Sequence, residues 1–127
     1  MSKKQFTHID RSGNPRMVDV SDKKVTKRVA KAQAVVQVGK DIVDLMIDDE
    51  LITKKGPVFQ TAIIAGVSGS KKTSDLIPFC HPLALENCDI SIKVKGYDII
   101  IDTQVNITGK TGVEMEALTA ASVAALT

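Results

Sequence analysis

The sequence contains few of the residues from which metal sites, disulfide frameworks and base-stacking surfaces are built. Tryptophan is absent, tyrosine occurs once and phenylalanine three times, which argues against a surface that stacks single-stranded bases. The two cysteines, Cys80 and Cys88, and the two histidines, His8 and His81, show neither zinc-site spacing nor a disulfide framework. We therefore predict reduced thiols, no metal and no cofactor.

The sequence also lacks an excess of charge of one sign and any long apolar run. Seventeen Lys and Arg residues stand against fifteen Asp and Glu residues, and the net charge of +2 does not favour nucleic acid or a membrane surface as a partner. No apolar run is long enough to cross a bilayer, and no signal peptide is recognisable. We predict a cytoplasmic protein with one globular domain.

An arm precedes this predicted domain. Residues 1–22 are mostly polar and contain Gly13-Asn14-Pro15, which predicts an extended arm or loop ahead of a domain at residues 23–127. Apolar residues alternate from Val25 to Val38, which predicts the first strand. Arg28 lies on the apolar side of that strand, where it is either a long side chain that reaches solvent or an anion clamp.

Two helices are predicted next. Apolar residues recur at helical spacing from Lys40 to Glu50, and we expect the acidic run Asp48-Asp49-Glu50 to be solvated. Pro57 suits the first turn of the following helix, and Lys55 stands just ahead of it. Free N–H groups and the helix dipole favour anions at such a place, so Lys55 is either a phosphate ligand or a solvated loop lysine.

The second half of the chain predicts a hairpin and a final helix. Apolar and polar residues alternate over 87–95 and 99–107, and Lys95-Gly96-Tyr97-Asp98 joins the two segments. The predicted order is strand, helix, helix, strand, strand, helix, which is that of the split βαβ arrangement without its last strand. We therefore predict an α+β, ferredoxin-like antiparallel sheet packed by helices, with the last strand missing from this chain.

The final helix is predicted to begin with a capping box. Thr111 and Glu114 have the spacing at which a hydroxyl and a carboxylate each accept a hydrogen bond from the other residue's backbone. Glu116 lies about 200° around the helix from Glu114, so we expect that the two cannot both face one site from one chain. One should cap the helix, and Glu116 is expected to be the one free for chemistry. No Gly, Asn or Pro stops the helix before Thr127, and we expect the sequence to break off inside this element.

One short motif holds a histidine in a restricted backbone. His81 lies between Pro78 and Pro82 among apolar residues, which predicts a fixed imidazole. It is either a core histidine with satisfied hydrogen bonds or a general acid or base. The neighbouring Cys80 is expected to be a small buried hydrophobe, since nothing in the sequence around it indicates an activated thiol.

Three blocks of sequence, Met17–Ser21, Asp75–Leu83 and Thr108–Ala121, are more specific than these local signals. Together they closely resemble the cyclic pyranopterin monophosphate synthase family of molybdenum cofactor biosynthesis. The resemblance implies a ferredoxin-like fold assembled as a hexamer, a trimer of dimers, with sites between subunits. It also implies a lyase that converts 3′,8-cyclo-7,8-dihydroguanosine 5′-triphosphate to cyclic pyranopterin monophosphate and pyrophosphate.

The resemblance also implies which residues form the site. The family's catalytic lysine falls on Lys55, the histidine of its Cys-His-Pro motif on His81 and its strand arginine on Arg28. The expected substrate-binding residues are Phe79, Cys80, His81, Met115, Glu116, Lys71 and Lys72. Cations would stabilise charge on the departing pyrophosphate, His81 can move protons near neutral pH, and Glu116 is expected to accept hydrogen bonds from guanine-derived amino groups.

The sequence departs from the family pattern at its end. Family members continue the last helix into an Ile-Tyr-Asp-x-x-x-Lys segment whose Asp and Lys complete the catalytic set, and this sequence does not contain that segment. We therefore expect the 127-residue form to lack synthase activity and an extended form to have it. The alternative is a non-catalytic oligomeric module of the same fold that binds a nucleotide or pterin. Nucleic-acid binding is disfavoured by the charge and the low aromatic content.

Overall fold

The computed structural model describes residues 6–127, and its elements follow the predicted order with three short additions. Residues 1–5 of the predicted arm lie outside the described residues. In chain order the elements are β1 (Thr26–Gln37), α1 (Lys40–Val43), β2 (Ile52–Thr53), β3 (Gly56–Pro57), α2 (Val58–Ser70), α3 (Thr73–Leu76), β4 (Asn87–Lys95), β5 (Asp98–Gly109) and α4 (Glu114–Leu126).

An antiparallel sheet of three strands, in the order β1, β5, β4, carries the helices. β5 is the central strand, in which Val105 pairs with Ala30 of β1 and Ile101 pairs with Ile92 of β4. The predicted hairpin between β4 and β5 is confirmed, and Gly96 in its turn has a φ of 62°, a conformation that glycine adopts without steric cost. The predicted α+β class is thereby confirmed.

The two long helices, α2 and α4, pack on one face of this sheet. α4 contacts α2, β1 and β5, and its Ala117 is fully buried against Val105. Gly66 of α2 permits a close approach between the helices, because a Cβ atom there would lie 2.9 Å from the backbone oxygen of Ala120. The start of α4 is therefore held rigidly with respect to the sheet.

The other face of the sheet carries charged and polar side chains together with the exposed Val29 and Val35 of β1. Gln33 Nε2 donates a hydrogen bond of 2.8 Å to Asp102 Oδ1, and Lys93 Nζ lies 3.6 Å from the other carboxylate oxygen of Asp102. Charged side chains at such positions discourage non-specific association of a sheet surface. In the described part of the chain no helix is both long and apolar enough to span a membrane.

The helix predicted over residues 40–50 was wrong beyond Val43. α1 is a single turn, after which the chain folds back, and Asp48 and Asp49 adopt left-handed backbone angles with φ of 50° and 59°. Aspartate tolerates these angles better than most residues because its short side chain bonds to the local backbone. Met46 therefore packs against the core from a turn, while Leu45 and Ile47 are exposed.

The prediction of a solvated acidic run was wrong for Glu50. This fold-back brings the Glu50 carboxylate to the start of α2, where Oε1 accepts a hydrogen bond of 2.7 Å from the N–H of Phe59. Oε2 accepts a second bond of 3.2 Å from the N–H of Gln60. An acidic side chain that occupies the free N–H groups of a helix stabilises it through hydrogen bonding and the helix dipole.

The capping box predicted at Thr111 and Glu114 does not form. α4 begins at Glu114 itself, Val113 occupies the cap position, and no side chain caps the helix there. Thr111 therefore precedes the position that a capping box requires, and its buried Oγ1 has no hydrogen-bond partner among the described residues. Long-range contacts of the preceding loop, including one of 3.5 Å between Arg28 Nη2 and the Lys110 oxygen, override the local signal.

Candidate active site

A cleft of about 280 Å³ lies between the arm, the loop that follows α3 and the start of α4. It brings together the two sequence segments that were expected to bind substrate. The lining residues are Thr7, His8, Val18, Val20, Lys23, Phe79, Cys80, His81, Leu83, Thr111, Gly112, Glu114, Met115 and Glu116. Of the expected substrate-binding residues, all except Lys71 and Lys72 line the cleft, namely Phe79, Cys80, His81, Met115 and Glu116.

The loop that carries His81 is positioned without regular secondary structure. The N–H of Cys80 donates a hydrogen bond of 3.2 Å to the oxygen of Ile77, and the N–H of Glu86 donates one of 3.0 Å to the oxygen of Asn106. Among the described residues, the segment 81–85 between them makes no backbone hydrogen bond to another backbone group. Pro78 and Pro82 restrict the backbone instead. His81 is half-buried and lines the cleft, which excludes the alternative of a core histidine.

Glu116 is a buried carboxyl group in this cleft, with only 3% of its surface exposed. Burial raises its pKa, a hydrogen bond from its own backbone N–H opposes the increase, and the charge of Glu114 adds to it. A carboxyl group with a raised pKa can accept hydrogen bonds as an anion and can also exchange a proton closer to neutral pH. Its chemistry therefore suits both the predicted contact with amino groups and proton transfer.

The thiol of Cys80 lies beside this carboxyl group. Its Sγ atom is 4.0 Å from Glu116 Oε2. Burial raises the pKa of the Cys80 thiol and the negative charge of Glu116 raises it further, against a smaller opposing effect of the His81 backbone. Since the thiolate is the nucleophilic form, this environment is consistent with a contact role and opposes nucleophilic catalysis by Cys80.

The prediction that Glu114 and Glu116 cannot both face one site was wrong. Both residues line the cleft. Glu114 is the first residue of α4 and its carboxylate lies over Gly112, at a position that a Cβ atom on residue 112 would overlap. Helical spacing does not separate the two carboxylates because the side chain of Glu114 turns back over the loop that precedes the helix.

Positive charge lies at another part of the same cleft. Lys23 lines it directly. Arg28 is half-buried on β1 and contacts the backbone oxygen of Lys110, next to Thr111 in the lining, while its buried Nε has no partner within residues 6–127. The guanidinium of Arg28 is thus only partly open to solvent. A ligand with an anionic end and a hydrogen-bond-donating end matches this distribution of charge.

The structure does not bring the predicted lysines into the cleft of a single chain. Lys55 is exposed in the turn between β2 and β3, and Lys71 and Lys72 are exposed between α2 and α3. None of the three lines the cleft. The phosphate site predicted at the start of α2 was wrong, because the Glu50 carboxylate already occupies the N–H groups there.

The sequence reasoning missed the contribution of the arm. His8, Val18 and Val20 of the arm, and Lys23 directly after it, line the cleft although no local pattern assigns them a role. The available signal was the block Met17–Ser21, which carried part of the family resemblance but suggested no site residue. The arm meets the loop before α4 across 89 positions of the chain, as Ser21 and Lys110 show, and local periodicity cannot reveal such a contact.

No group of three or more His, Cys, Asp or Glu side chains within residues 6–127 is arranged to hold a metal ion. His81 and Glu116 can move protons, and Lys23 can bind an anion. The cleft thus combines acid–base groups with opposite charges at separate places.

Known proteins are similar to this chain over almost its whole length. The MoaC family model matches residues 17–127. The chain is 51% identical over 127 residues to the "Molybdenum cofactor biosynthesis bifunctional protein" of Synechocystis sp., and the match covers 96% of this chain and 37% of that protein. It is 48% identical over 126 residues to the "Cyclic pyranopterin monophosphate synthase" of Staphylococcus carnosus, with 97% of this chain and 77% of that protein covered.

A third relative is larger. The chain is 41% identical over 141 aligned positions to the "Molybdenum cofactor biosynthesis protein 1" of Dictyostelium discoideum. The match covers 97% of this chain and 22% of that protein. The chain thus spans about three quarters of the synthase from Staphylococcus carnosus and much less than half of the two larger proteins.

Proposed function

The chain belongs to the MoaC family, and on that premise we propose that it is a lyase of molybdenum cofactor biosynthesis. Its proposed substrate is 3′,8-cyclo-7,8-dihydroguanosine 5′-triphosphate, and its products are cyclic pyranopterin monophosphate and pyrophosphate. The observation that carries the proposal is the single cleft in which the Cys80-His81 loop meets Met115 and Glu116.

The charges of the cleft fit the two ends of this substrate. The triphosphate is the anionic end, for which Lys23 is placed in the lining and Arg28 lies behind the loop that carries Thr111. The guanine-derived end carries N–H donors, which a carboxylate such as Glu116 accepts. This orientation puts the departing pyrophosphate near positive charge, where electrostatic stabilisation acts on the transition state.

The reaction requires proton transfers that the cleft can support. The cyclic phosphate forms when a hydroxyl oxygen of the substrate attacks the α-phosphorus, and the bond from that phosphorus to the bridging oxygen of the β-phosphate breaks. The hydroxyl proton must pass to a base and the pyrophosphate leaves with the bonding electrons. His81 is the proposed proton carrier because an imidazole ring can both accept and donate a proton and this one lines the cleft. Glu116 is the proposed ligand of the ring system.

The proposal includes a site completed between subunits of a hexamer, a trimer of dimers. A cavity of about 280 Å³ is slightly smaller than most small-molecule sites, which extend from about 300 to 1,000 Å³. Lys55, Lys71 and Lys72 are exposed and outside the cleft of their own chain, so a neighbouring copy is the proposed source of these cations. Their exposure supports this assignment, since they remain free to enter an interface.

Two further expectations belong to the same proposal. The fold is proposed to be ferredoxin-like, which the strand order β1, β5, β4 and the packing of α2 and α4 on one face support. In that fold a fourth strand would pair beside β1. The cytoplasm is the proposed location, and the unpaired thiols of Cys80 and Cys88 fit a reducing compartment.

The test measures pyrophosphate released from the cyclised GTP, together with calorimetric binding of the same compound. It uses the 127-residue chain and the chain extended at Thr127 with the corresponding segment of a family member. Release of pyrophosphate by the extended chain is the expected result. Binding without release by either chain would instead favour the non-catalytic binding module, and absence of both would overturn the proposal.

A further inference from the structure

The arm forms one wall of the cleft but has few links to the domain. Val18 and Val20 are half-buried and line the cleft opposite the start of α4. In the described structure, the backbone hydrogen bonds of residues 6–24 join these residues to each other. Examples are those from the N–H of Asp10 to the oxygen of Asn14 and from the N–H of Arg16 to the oxygen of His8. The wall therefore depends on contacts outside its own hydrogen bonding.

One hydrogen bond fastens this wall. Lys110 Nζ donates to the backbone oxygen of Ser21 at 3.2 Å, across 89 positions of the chain. Within the described structure, it is the only hydrogen bond that joins residues 6–24 to the rest of the protein. The loss of this donor therefore removes the one hydrogen bond that the described residues provide between this part of the chain and the rest of the protein.

Further polar contacts lie on both sides of the hydrogen bond between Lys110 and Ser21. Arg28 Nη2 on β1 contacts the backbone oxygen of Lys110 at 3.5 Å. On the arm, the N–H of Ser21 donates a hydrogen bond of 2.9 Å to Asp19 Oδ1. A line of polar contacts thus runs from the sheet through Lys110 to Asp19, which lies between the two valines of the cleft wall.

We propose that Lys110 is a positioning residue that holds the arm closed over the cleft and thereby sets its affinity for substrate. The side chain acts through the arm, since its ammonium group is engaged by Ser21 while the adjacent Thr111 and Gly112 line the cleft. An arm so held keeps Val18 and Val20 against the bound ligand and keeps Asp19 near His81. This inference rests on the proposed function for the identity of the ligand.

The electrostatics of Asp19 support this placement. Hydrogen bonds from the backbone and side chain of Ser21 lower the pKa of the Asp19 carboxyl group, with smaller contributions from the charges of Arg16 and His81. Asp19 is therefore ionised at neutral pH and within electrostatic range of His81. Movement of the arm would separate the two groups.

The decisive experiment measures backbone amide exchange of residues 18–23 by mass spectrometry without ligand. Lys110→Met should speed this exchange by about three- to tenfold, because one hydrogen bond is lost. Lys110→Arg, which retains the donor and the charge, should restore slow exchange. Lys27→Met is the matched control, since it removes an exposed lysine of β1 and should leave the arm unchanged. Unchanged exchange in Lys110→Met would overturn the fastening.

The second measurement is calorimetric affinity for the cyclised GTP in the same variants. We expect the dissociation constant to rise about three- to tenfold in Lys110→Met, and to return in Lys110→Arg. Weaker binding with unchanged arm exchange would make Lys110 a direct phosphate ligand and refute the positioning role. Faster exchange with unchanged affinity would refute the closed wall. Failure of the wild-type chain to bind would refute the proposed substrate, while arm exchange still decides the fastening.

Circular dichroism separates these outcomes from loss of fold. Lys110 lies in a loop and is half-exposed, so Lys110→Met is expected to keep the helical signal and a cooperative thermal transition. If Lys110→Met fails to fold, Lys110→Gln replaces it in the exchange measurement. The glutamine side chain is too short to reach the backbone oxygen of Ser21. The same acceleration of amide exchange in residues 18–23 is then expected.

Discussion

The carboxylate of Glu50 caps α2 through a hydrogen bond of 2.7 Å from the backbone N–H of Phe59, nine positions further along the chain. This contact has two consequences. It stabilises the helix that packs against α4, and it fills the helix terminus at which a phosphate was expected. Lys55 is thereby left without a helix terminus to assist it in its own chain.

Removal of this cap should destabilise the fold. We expect Glu50→Ala to lower the free energy of unfolding by about 1 to 2 kcal/mol, because the N–H groups of Phe59 and Gln60 lose their acceptor. Urea denaturation followed by circular dichroism measures the difference. Glu86→Ala removes an exposed carboxylate from a loop and should change stability by less than about 0.5 kcal/mol. Equal effects of the two substitutions would contradict the capping role.

The same cap should make stability depend on pH. Partial burial raises the pKa of Glu50, but backbone N–H donors, chiefly those of Phe59 and Leu51, outweigh it and hold the pKa below its ordinary value of 4.5. A lowered pKa in the folded state adds stability above pH 4.5, and this stability is lost as the pH falls through the folded value. The stability difference between wild type and Glu50→Gln should therefore shrink in acid and stay constant near neutral pH. A difference that grows in acid would refute this assignment.

The thiol of Cys80 should react slowly with alkylating reagents. Its pKa is raised by burial and by Glu116, so little thiolate is present at pH 8. We expect Glu116→Gln to speed iodoacetamide modification of Cys80 by several-fold, because the neighbouring negative charge is gone. Peptide mass spectrometry follows Cys80 and Cys88 separately, and Cys88 serves as the internal control. Slower modification of Cys80 in the variant would show that Glu116 does not raise its pKa.

Mixed oligomers test whether the site lies between subunits. We expect His81→Ala and Lys55→Ala each to lower turnover by roughly 10²- to 10⁴-fold, since each removes a proposed catalytic group. Both residues lie outside the buried core, so both variants should fold.

Co-assembly of these two inactive variants should restore activity. If Lys55 of one copy serves the cleft of another, random mixing gives roughly a quarter of the sites both intact residues. The assay uses the active, extended chain after joint refolding, and each variant refolded alone is the control. No recovery on mixing would place both residues in one chain or assign Lys55 no role.

Close packing between α2 and α4 predicts a sensitive glycine. A Cβ atom at Gly66 would lie 2.5 Å from Ile90 Cδ1 and 2.9 Å from the Ala120 oxygen. Gly66→Ala should therefore destabilise the fold by about 1 to 3 kcal/mol, although alanine is the better helix former. Ser68→Ala, at an exposed position of the same helix, should be neutral or slightly stabilising. Stabilisation by Gly66→Ala would contradict the close approach of the helices.

The strands were predictable because their signal is local. Alternation from Val25 to Val38 identified β1 to within one residue at each end, and the turn at Gly96 identified the hairpin. The end of α1 was not predictable, because the fold-back after it is stabilised by a hydrogen bond between Glu50 and Phe59, nine positions further along the chain. A short apolar run fits a helix and a set of turns equally well.

The site was predictable only in part. The resemblance identified the Cys80-His81 segment and the start of α4, and the structure places both in one cleft. The position of the Glu114 carboxylate over Gly112 depends on how a loop enters a helix, which residue spacing does not encode. The contact between Lys110 and Ser21 joins distant parts of the chain and has no periodic signature.

The segment 81–85 makes no backbone hydrogen bond to other backbone groups in the described structure, and this gives the protein room for evolutionary change. Leu83 and Leu85 of this segment pack against the core and His81 is the proposed proton carrier, but Ala84 is exposed. Substitution of Ala84 breaks no sheet or helix bonding, so it should cost little stability compared with changes in β5 or α4. The same segment supplies one side of the cleft. The exposed part of this segment can therefore vary among descendants, or in a library, while the scaffold stays folded.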